Sequence, residues 1–250
     1  MTELVRAETR GRILHLELNR PDKKNALTVE MYEALVDQLQ GADRDAQVRV
    51  VLITGAGDAF SAGNDLRDFL ERPPTDESAP VHRFLQALID LEIPSIAAVQ
   101  GLAVGIGTTM LLHCDLVYAG RTARFQLPFT SLALVPEAGS SLLLPQRIGY
   151  ARAAEMLLLG EPLDAEDARV LGFVSAVFDD AALRDEAFAR AERLASLPPE
   201  SVRTTKALMR DATRLSLPEQ MHRESERFVE RLRSAEAREV MQRFFEARRG

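Results

Sequence analysis

A single cysteine, Cys114, stands among 250 residues. No internal disulfide can form, and no thiolate pair exists for a structural zinc site. HExxH and GxSxG are also missing, so neither a common structural zinc site nor a serine nucleophile at Ser140 or Ser141 is expected. The opening MTELVRAETR carries no apolar signal core. The longest nearly apolar stretch, Ile93 to Leu112, is broken by Pro94, Ser95, Gln100 and several glycines. Neither export nor a membrane span is expected. The terminal Arg-Arg-Gly is not a peroxisomal address. A reducing, cytoplasmic setting follows as the expectation, with Cys114 packed as a small core residue.

With 46% hydrophobic residues the chain can bury one sizeable core. Its net charge of -7 is unevenly spread: residues 1–200 hold 19 basic and 30 acidic side chains, and residues 201–250 hold 12 and 8. The arginines of that basic tail alternate with glutamates at helical spacing. This is the pattern of a solvated helix face, and no nucleic-acid partner is expected.

Leu14, Leu16 and Leu18 alternate with His15, Glu17 and Asn19, the period of a half-buried strand entering an Asn19-Arg20-Pro21-Asp22 turn. Thr28 can cap a helix that carries Met31, Leu35 and Leu39 on one face. The runs Val50-Val51-Leu52-Ile53, Ile96-Ala97-Ala98-Val99 and Leu116-Val117-Tyr118 read as buried strands. Helical patterns fall at Pro80 to Leu91, at Gly105 to His113, and at Ala151 to Leu159 with Gly160 as a stop. Phe173 to Phe178 adds a strand. Beyond Ala181 the pattern is helical, interrupted at Leu197-Pro198-Pro199 and at Pro218, and Glu71 to Pro80 reads as a loop. The predicted fold class is α/β, with an α/β core over residues 1–195 and a helical region over 196–250. No internal sequence repeat is visible.

Two small-residue stretches follow buried strands. Gly101-Leu102-Ala103-Val104-Gly105-Ile106-Gly107 lies where backbone N–H groups can face an anion, or where glycines serve tight helix–strand packing. Its third dinucleotide-fingerprint position is Met110, so a Rossmann site is not expected. Phe60-Ser61-Ala62-Gly63-Asn64-Asp65-Leu66 is either a turn capped by Asp65 or a place where a ligand approaches the backbone. In the second case the Asn64 N–H could join one from the glycine-rich stretch to hold an oxyanion. Pro136 and Glu137 read as opening a helix. A carboxylate there serves the helix dipole or, partly desolvated by apolar neighbours, becomes a general base with a raised pKa. His15, His82, His113 and His222 lie far apart, with no metal-type or triad-type partners, and read as structural.

Together, and in this order, these segments resemble the enoyl-CoA hydratase/isomerase (crotonase) superfamily. The matching pieces include Asn19-Arg20-Pro21 with Asn25-Ala26-Leu27, residues 51–55 followed by 60–66, and Gln100 through Gly107. Cys114-Asp115, Phe125 to Pro128, Gly160 before Leu163-Asp164-Ala165, and Leu171-Gly172-Phe173-Val174 complete the set. The resemblance implies a spiral of ββα units followed by a C-terminal helical trimerisation region, giving a homotrimer or a dimer of trimers. It implies an acyl-CoA thioester substrate, with coenzyme A as part of that substrate, no separate cofactor and no metal. It also implies that the amides of Asn64 and Ile106 hold the thioester enolate. By motif, Ala26, Ser61, Ala62, Gly63, Asp65, Leu66 and Gly105 would contact the substrate, and Phe129 and Leu134 would border the acyl chain. Lys23 and Lys24 occupy the loop the family uses near the nucleotide, where they meet CoA phosphates or form only a solvated turn.

Two departures bear on the reaction. Hydratases of the family carry one glutamate in the helix after the glycine-rich stretch and another after the proline of the following strand. Here those positions hold Thr109 and Phe129, neither an acid nor a base at neutral pH. Glu137 remains, and its surroundings Pro136-Glu137-Ala138-Gly139-Ser140-Ser141 are similar to those of the Δ3,Δ2-enoyl-CoA isomerase branch. Isomerisation needs one base, which removes a proton from C2 and returns it to C4. The expectation is an isomerase with Glu137 catalytic. The alternatives are a hydratase, another acyl-CoA reaction on the same scaffold, or a thioester-binding protein without catalysis.

Overall fold

A computed structural model describes residues 4–74, 78–213 and 215–247. Its strands are β1 (Val5–Arg10), β2 (Ile13–Leu18), β3 (Val50–Gly55), β4 (Ser95–Val99), β5 (Leu102–Val104), β6 (Leu116–Gly120), β7 (Arg124–Gln126), β8 (Leu163–Asp164) and β9 (Ala176–Phe178). Its α-helices are α1 (Val29–Arg44), α2 (Leu66–Glu71), α3 (Pro80–Asp90), α4 (Ile106–Thr109), α5 (Ser140–Ile148), α6 (Tyr150–Ala154) and α7 (Ala165–Val170). Four more close the chain: α8 (Asp180–Ala195), α9 (Pro199–Arg210), α10 (Ser216–Leu232) and α11 (Ala235–Ala247).

One sheet runs β1-β2-β3-β4-β6-β9, parallel except for the β1–β2 pair, and a second runs β5-β7-β8. Isolated parallel bridges, Ser61 to Ala103 and Leu27 to Asn64, extend the second sheet. Successive turns of the chain thus give a strand to the first sheet, an extended piece to the second, then a helix. β2 leads to Leu27 and α1, β3 to residues 61–64 and α2, and β4 to β5 and α4. The repeat invisible in the sequence exists in the backbone, because strand pairing asks only for alternation and space.

Both faces of the first sheet are covered. Leu14, Leu16, Val51, Ile53 and Ala97 pack under α1 and α3 in the main core, whereas Ile13, Leu52, Ile96 and Ala98 pack against Leu183, Ala187 and Ala191 of α8. For this reason β2, predicted half-buried, is buried at all six positions. His15 is satisfied there by Thr54 Oγ1 at 2.9 Å, and burial pushes its pKa down to about 4. Glu17 is paired with Arg6 and Arg184, both at 3.0 Å.

Several boundaries differ from the sequence pattern. Helix α4 is one turn long and tightens into a 3-10 turn at Met110–His113, and α6 continues as a π-helical turn, Glu155–Leu159, stopped by left-handed Gly160. Only Ala176–Phe178 of the expected 173–178 strand pairs with a neighbour. Pro218 does not interrupt a helix: it lies in the first turn of α10, where a backbone N–H has no helical partner to lose. Glu137 does not open a helix either, since α5 starts at Ser140. The expected loop from Glu71 to Pro80 is bracketed by the end of α2 and the start of α3, and residues 75–77 lie outside the described residues.

The C-terminal helices fold back onto the core. Phe228, Leu232, Ala237 and Met241 join the main core cluster, and α9 is tied down by Lys206 and Arg210, at 2.8 and 3.1 Å from Asp115. Among the described residues no helix is long and apolar enough to cross a membrane.

Candidate active site

The two small-residue stretches lie side by side. Ser61 N donates to Leu102 O at 3.0 Å and Val104 N to Ser61 O at 2.9 Å, which aligns residues 61–64 with β5. Gly63 makes this approach possible, since a Cβ there would stand 2.7 Å from the Val104 carbonyl oxygen and its φ is +87°. On the other side, Leu27 N donates to Gly63 O and Asp65 N to Leu27 O, both at 2.8 Å. The Asn64 and Ile106 N–H groups emerge from adjacent segments, and neither has a hydrogen-bond partner among the described residues. Ile106 is the first residue of α4, where an unpaired donor is expected and the helix dipole favours negative charge.

Tyr32 from α1 fixes the Asn64 side chain, its hydroxyl donating to Asn64 Oδ1 at 2.5 Å. Gly105, with its N–H on Gln126 O at 2.9 Å, leads directly into α4. The surrounding loop is built from its own side chains: Ser61 Oγ donates to Asn25 O at 2.9 Å, and Arg20 reaches Ala26 O at 3.1 Å and Asp65 at 2.7 Å. Asp65 also caps α2 by accepting from the amides of Arg67 and Asp68. Lys24 is engaged with Asp58 at 2.6 Å on the surface, and Lys23 is exposed beside it.

Glu137 faces the same place from the opposite wall. Residues Ala138 and Gly139, both left-handed at φ +60° and +70°, turn the chain between Glu137 and α5, so the carboxylate sits outside the helix. Thr109 Oγ1, at the end of α4, donates to Glu137 Oε1. Burial pushes the Glu137 pKa up to about 7, helped by the nearby Glu224 and opposed by the Thr109 hydrogen bond. His113 bonds the Ala138 carbonyl oxygen at 2.8 Å and is kept neutral by burial, its pKa pushed down to about 4. Cys114, next to it, is buried, with a thiol pKa pushed up to about 12 by burial.

A cleft of about 430 Å³ joins these parts, with Asn64 and Glu137 on its polar side and Phe69, Val81, Leu85, Met221 and Phe228 on its apolar side. Phe69 and Phe228 meet edge to face, with ring centroids 5.9 Å apart. A second hollow of about 310 Å³ continues past Tyr32 and Leu27 and shares Asn64, Phe69, Pro74 and Val81 with the first. Phe129 and Leu134 are buried and lie outside the lining of both hollows.

The enoyl-CoA hydratase/isomerase family model matches residues 8–250. The chain belongs to that family. Enoyl-CoA delta isomerase 2 of Rattus norvegicus is 40% identical over 206 residues, which cover 80% of this chain and 52% of the relative. This chain therefore spans about half the length of that relative. The 1,2-epoxyphenylacetyl-CoA isomerase of Escherichia coli is 37% identical, over 99% of this chain and 97% of its own length. The crystal structure of an enoyl-CoA hydratase/isomerase from Pseudoalteromonas atlantica superposes with a TM-score of 0.94 at 46% identity, covering 98% of each chain. The expected crotonase fold is thereby shown. Relatives named as hydratases are 34% identical, so family membership leaves the reaction open.

Within this family member, sequence reasoning singled out Asn64 and Glu137, which line one cleft, and Ile106, which lies on the segment beside residues 61–64 and outside the lining of both hollows. It missed Tyr32, the role of Thr109 as donor to Glu137, and Glu224. A signal for Glu224 does exist: it sits on the apolar stripe of Leu217, Met221, Phe228 and Leu232, where a lone carboxylate is out of place.

Proposed function

We propose that this chain is a Δ3,Δ2-enoyl-CoA isomerase. The observation that carries this reading is that Glu137 is, among the described residues, the one carboxylate lining the apolar cleft that also holds Asn64. In the proposed reaction a 3-enoyl-CoA thioester oxygen lies between the amides of Asn64 and Ile106. The Glu137 carboxylate takes a proton from C2, the negative charge of the dienolate collects on the thioester oxygen, and the resulting carboxylic acid returns the proton at C4. The double bond moves from C3–C4 to C2–C3 with no net gain or loss of atoms.

A pKa of about 7 suits this shuttle, since the group must both take and give the proton near neutrality. Fixed backbone donors suit the dienolate because they need no reorientation as charge develops, and one such donor contributes roughly 3 kcal/mol. Thr109 in place of a second carboxylate supports isomerisation over hydration, because it cannot act as the general base that draws a proton from attacking water. Replacing Glu137 by Gln is expected to lower kcat for 3-enoyl-CoA isomerisation about 10²- to 10⁴-fold. Retention of most activity would overturn the reading, and hydration of crotonyl-CoA at a rate matching isomerisation would favour a hydratase.

A second reading, isomerisation of an aryl-substituted acyl-CoA, is favoured by the paired Phe69 and Phe228 rings in the cleft and by the full-length match to the bacterial epoxide isomerase. Turnover of 1,2-epoxyphenylacetyl-CoA, compared with that of a linear 3-enoyl-CoA, separates the two.

A further inference from the structure

Helix α10 does more than wall the cleft. Its buried Glu224 reaches the turn that follows Glu137: Oε2 accepts from Gly139 N at 2.6 Å, and Oε1 accepts from Ser141 N at 2.9 Å and from Ser141 Oγ. Gln220, one turn earlier, donates to Ser141 Oγ at 2.9 Å. The packing is equally close, since a Cβ on Gly139 would stand 2.4 Å from Leu217 Cδ1 and 3.3 Å from Met221 Cγ. The start of α5 is thus fastened to α10 by three hydrogen bonds to one carboxylate, two and four residues beyond Glu137.

We infer that Glu224 is a positioning residue for Glu137: its three hydrogen bonds to Gly139 and Ser141 hold the 137–141 turn against α10 and so fix where the Glu137 carboxylate stands in the cleft. This inference rests on the reading of Glu137 as the proton shuttle. The alternative, a carboxylate serving only to fill a helix terminus, leaves the choice of residue unexplained. A buried carboxylate is costly, and a serine or asparagine cap on the turn itself would satisfy the same amides without one.

The groups facing Glu137 can be named element by element. Thr109 donates to it from α4, Tyr32 stands near it from α1, His82 lines the same cleft from α3, and Glu224 faces it from α10. His113 bonds the neighbouring carbonyl as a neutral ring. Of these groups Glu224 is the one acid whose charge raises the Glu137 pKa. Burial raises the pKa of Glu224 itself, while the amides of Gly139 and Ser141 and the Ser141 hydroxyl favour its ionised form.

The test is the pH profile of kcat/KM for 3-enoyl-CoA isomerisation in the full chain and three variants. Glu224→Gln removes the charge and places an NH2 group where an acceptor stood. It is expected to move the acid limb to lower pH and to cut kcat about tenfold or more, with KM little changed. Glu224→Asp keeps the charge with a shorter reach and is expected to lower kcat while leaving the acid limb near that of the wild type. Ser141→Ala, which removes the two hydrogen bonds of the Ser141 hydroxyl, to Glu224 and from Gln220, while leaving every residue of α10 unchanged, is expected to shift the limb in the same direction as Glu224→Gln by a smaller amount. It stands in if Glu224→Gln does not fold. Identical acid limbs in wild type, Glu224→Gln and Ser141→Ala would overturn the inference, as would unchanged kcat in a folded Glu224→Gln. If instead Glu137→Gln keeps its activity, the reading of Glu137 fails, and that outcome is distinct from the failure of Glu224.

Discussion

Thr109 stands where hydratases of this family carry a glutamate, by the resemblance of its surroundings, and its hydroxyl donates to Glu137. In the proposed reaction a hydrogen-bond donor to Glu137 thus stands where a second proton-transfer group would be. A hydrogen bond to a carboxylate favours the charged form, so this bond lowers the Glu137 pKa against the stronger effect of burial. Thr109→Val is therefore expected to raise the Glu137 pKa above about 7 and to move the acid limb of kcat/KM to higher pH. For a shift of one unit from about 7 the rate at pH 7 falls about fivefold and recovers at alkaline pH, whereas Glu137→Gln recovers at no pH. A pH–rate profile for 3-enoyl-CoA checks this, and an acid limb that stays or moves down contradicts it. Thr109 was legible in the sequence as an absence of chemistry. Its contact was not, because residues 109 and 137 meet only through the fold.

At the scale of elements, the strands were readable from their apolar runs and the site segments from their small residues. The misreadings have physical causes. β2 looks half-buried because His15 and Glu17 alternate with leucines, yet α8 covers that face and each polar group finds a partner. The expected helix start at Glu137 gave way to a left-handed Ala138-Gly139 turn, which presents the carboxylate to the cleft instead of to the α5 dipole. The alignment of the two donor segments depends on Gly63. A methyl group there meets the Val104 carbonyl oxygen and a φ of +87°, so residues 61–64 must move away from β5 and carry the Asn64 amide with them. Gly63→Ala is expected to lower kcat on the order of 10²-fold and stability by about 1–3 kcal/mol, read from initial rates and urea unfolding. Wild-type kcat in this variant would show that the spacing of the two segments does not matter to the reaction.

Taken whole, the molecule needs its last helices for its site. α10 supplies Met221, Ser225 and Phe228 to the cleft and Glu224 to the Glu137 turn, while α9 is anchored through Lys206 and Arg210 to Asp115 at the base of the sheet. The sequence displayed this region only as a shift toward basic composition, and much of that charge is spent on pairs at helical spacing, such as Arg227 with Glu230 and Arg243 with Glu239. The acidic excess of the first 200 residues is compatible with an anionic transition state because the proposed charge-holding groups are backbone amides, which composition does not count. The central claim is that those two amides and Glu137 flank one thioester. A structure of the protein with an unreactive 3-enoyl-CoA analogue measures this directly. The account predicts the thioester oxygen about 2.7–3.1 Å from the nitrogens of both Asn64 and Ile106, with a Glu137 carboxylate oxygen poised over C2 and C4. A thioester oxygen held by other groups, or a Glu137 carboxylate directed away from the acyl chain, would contradict it.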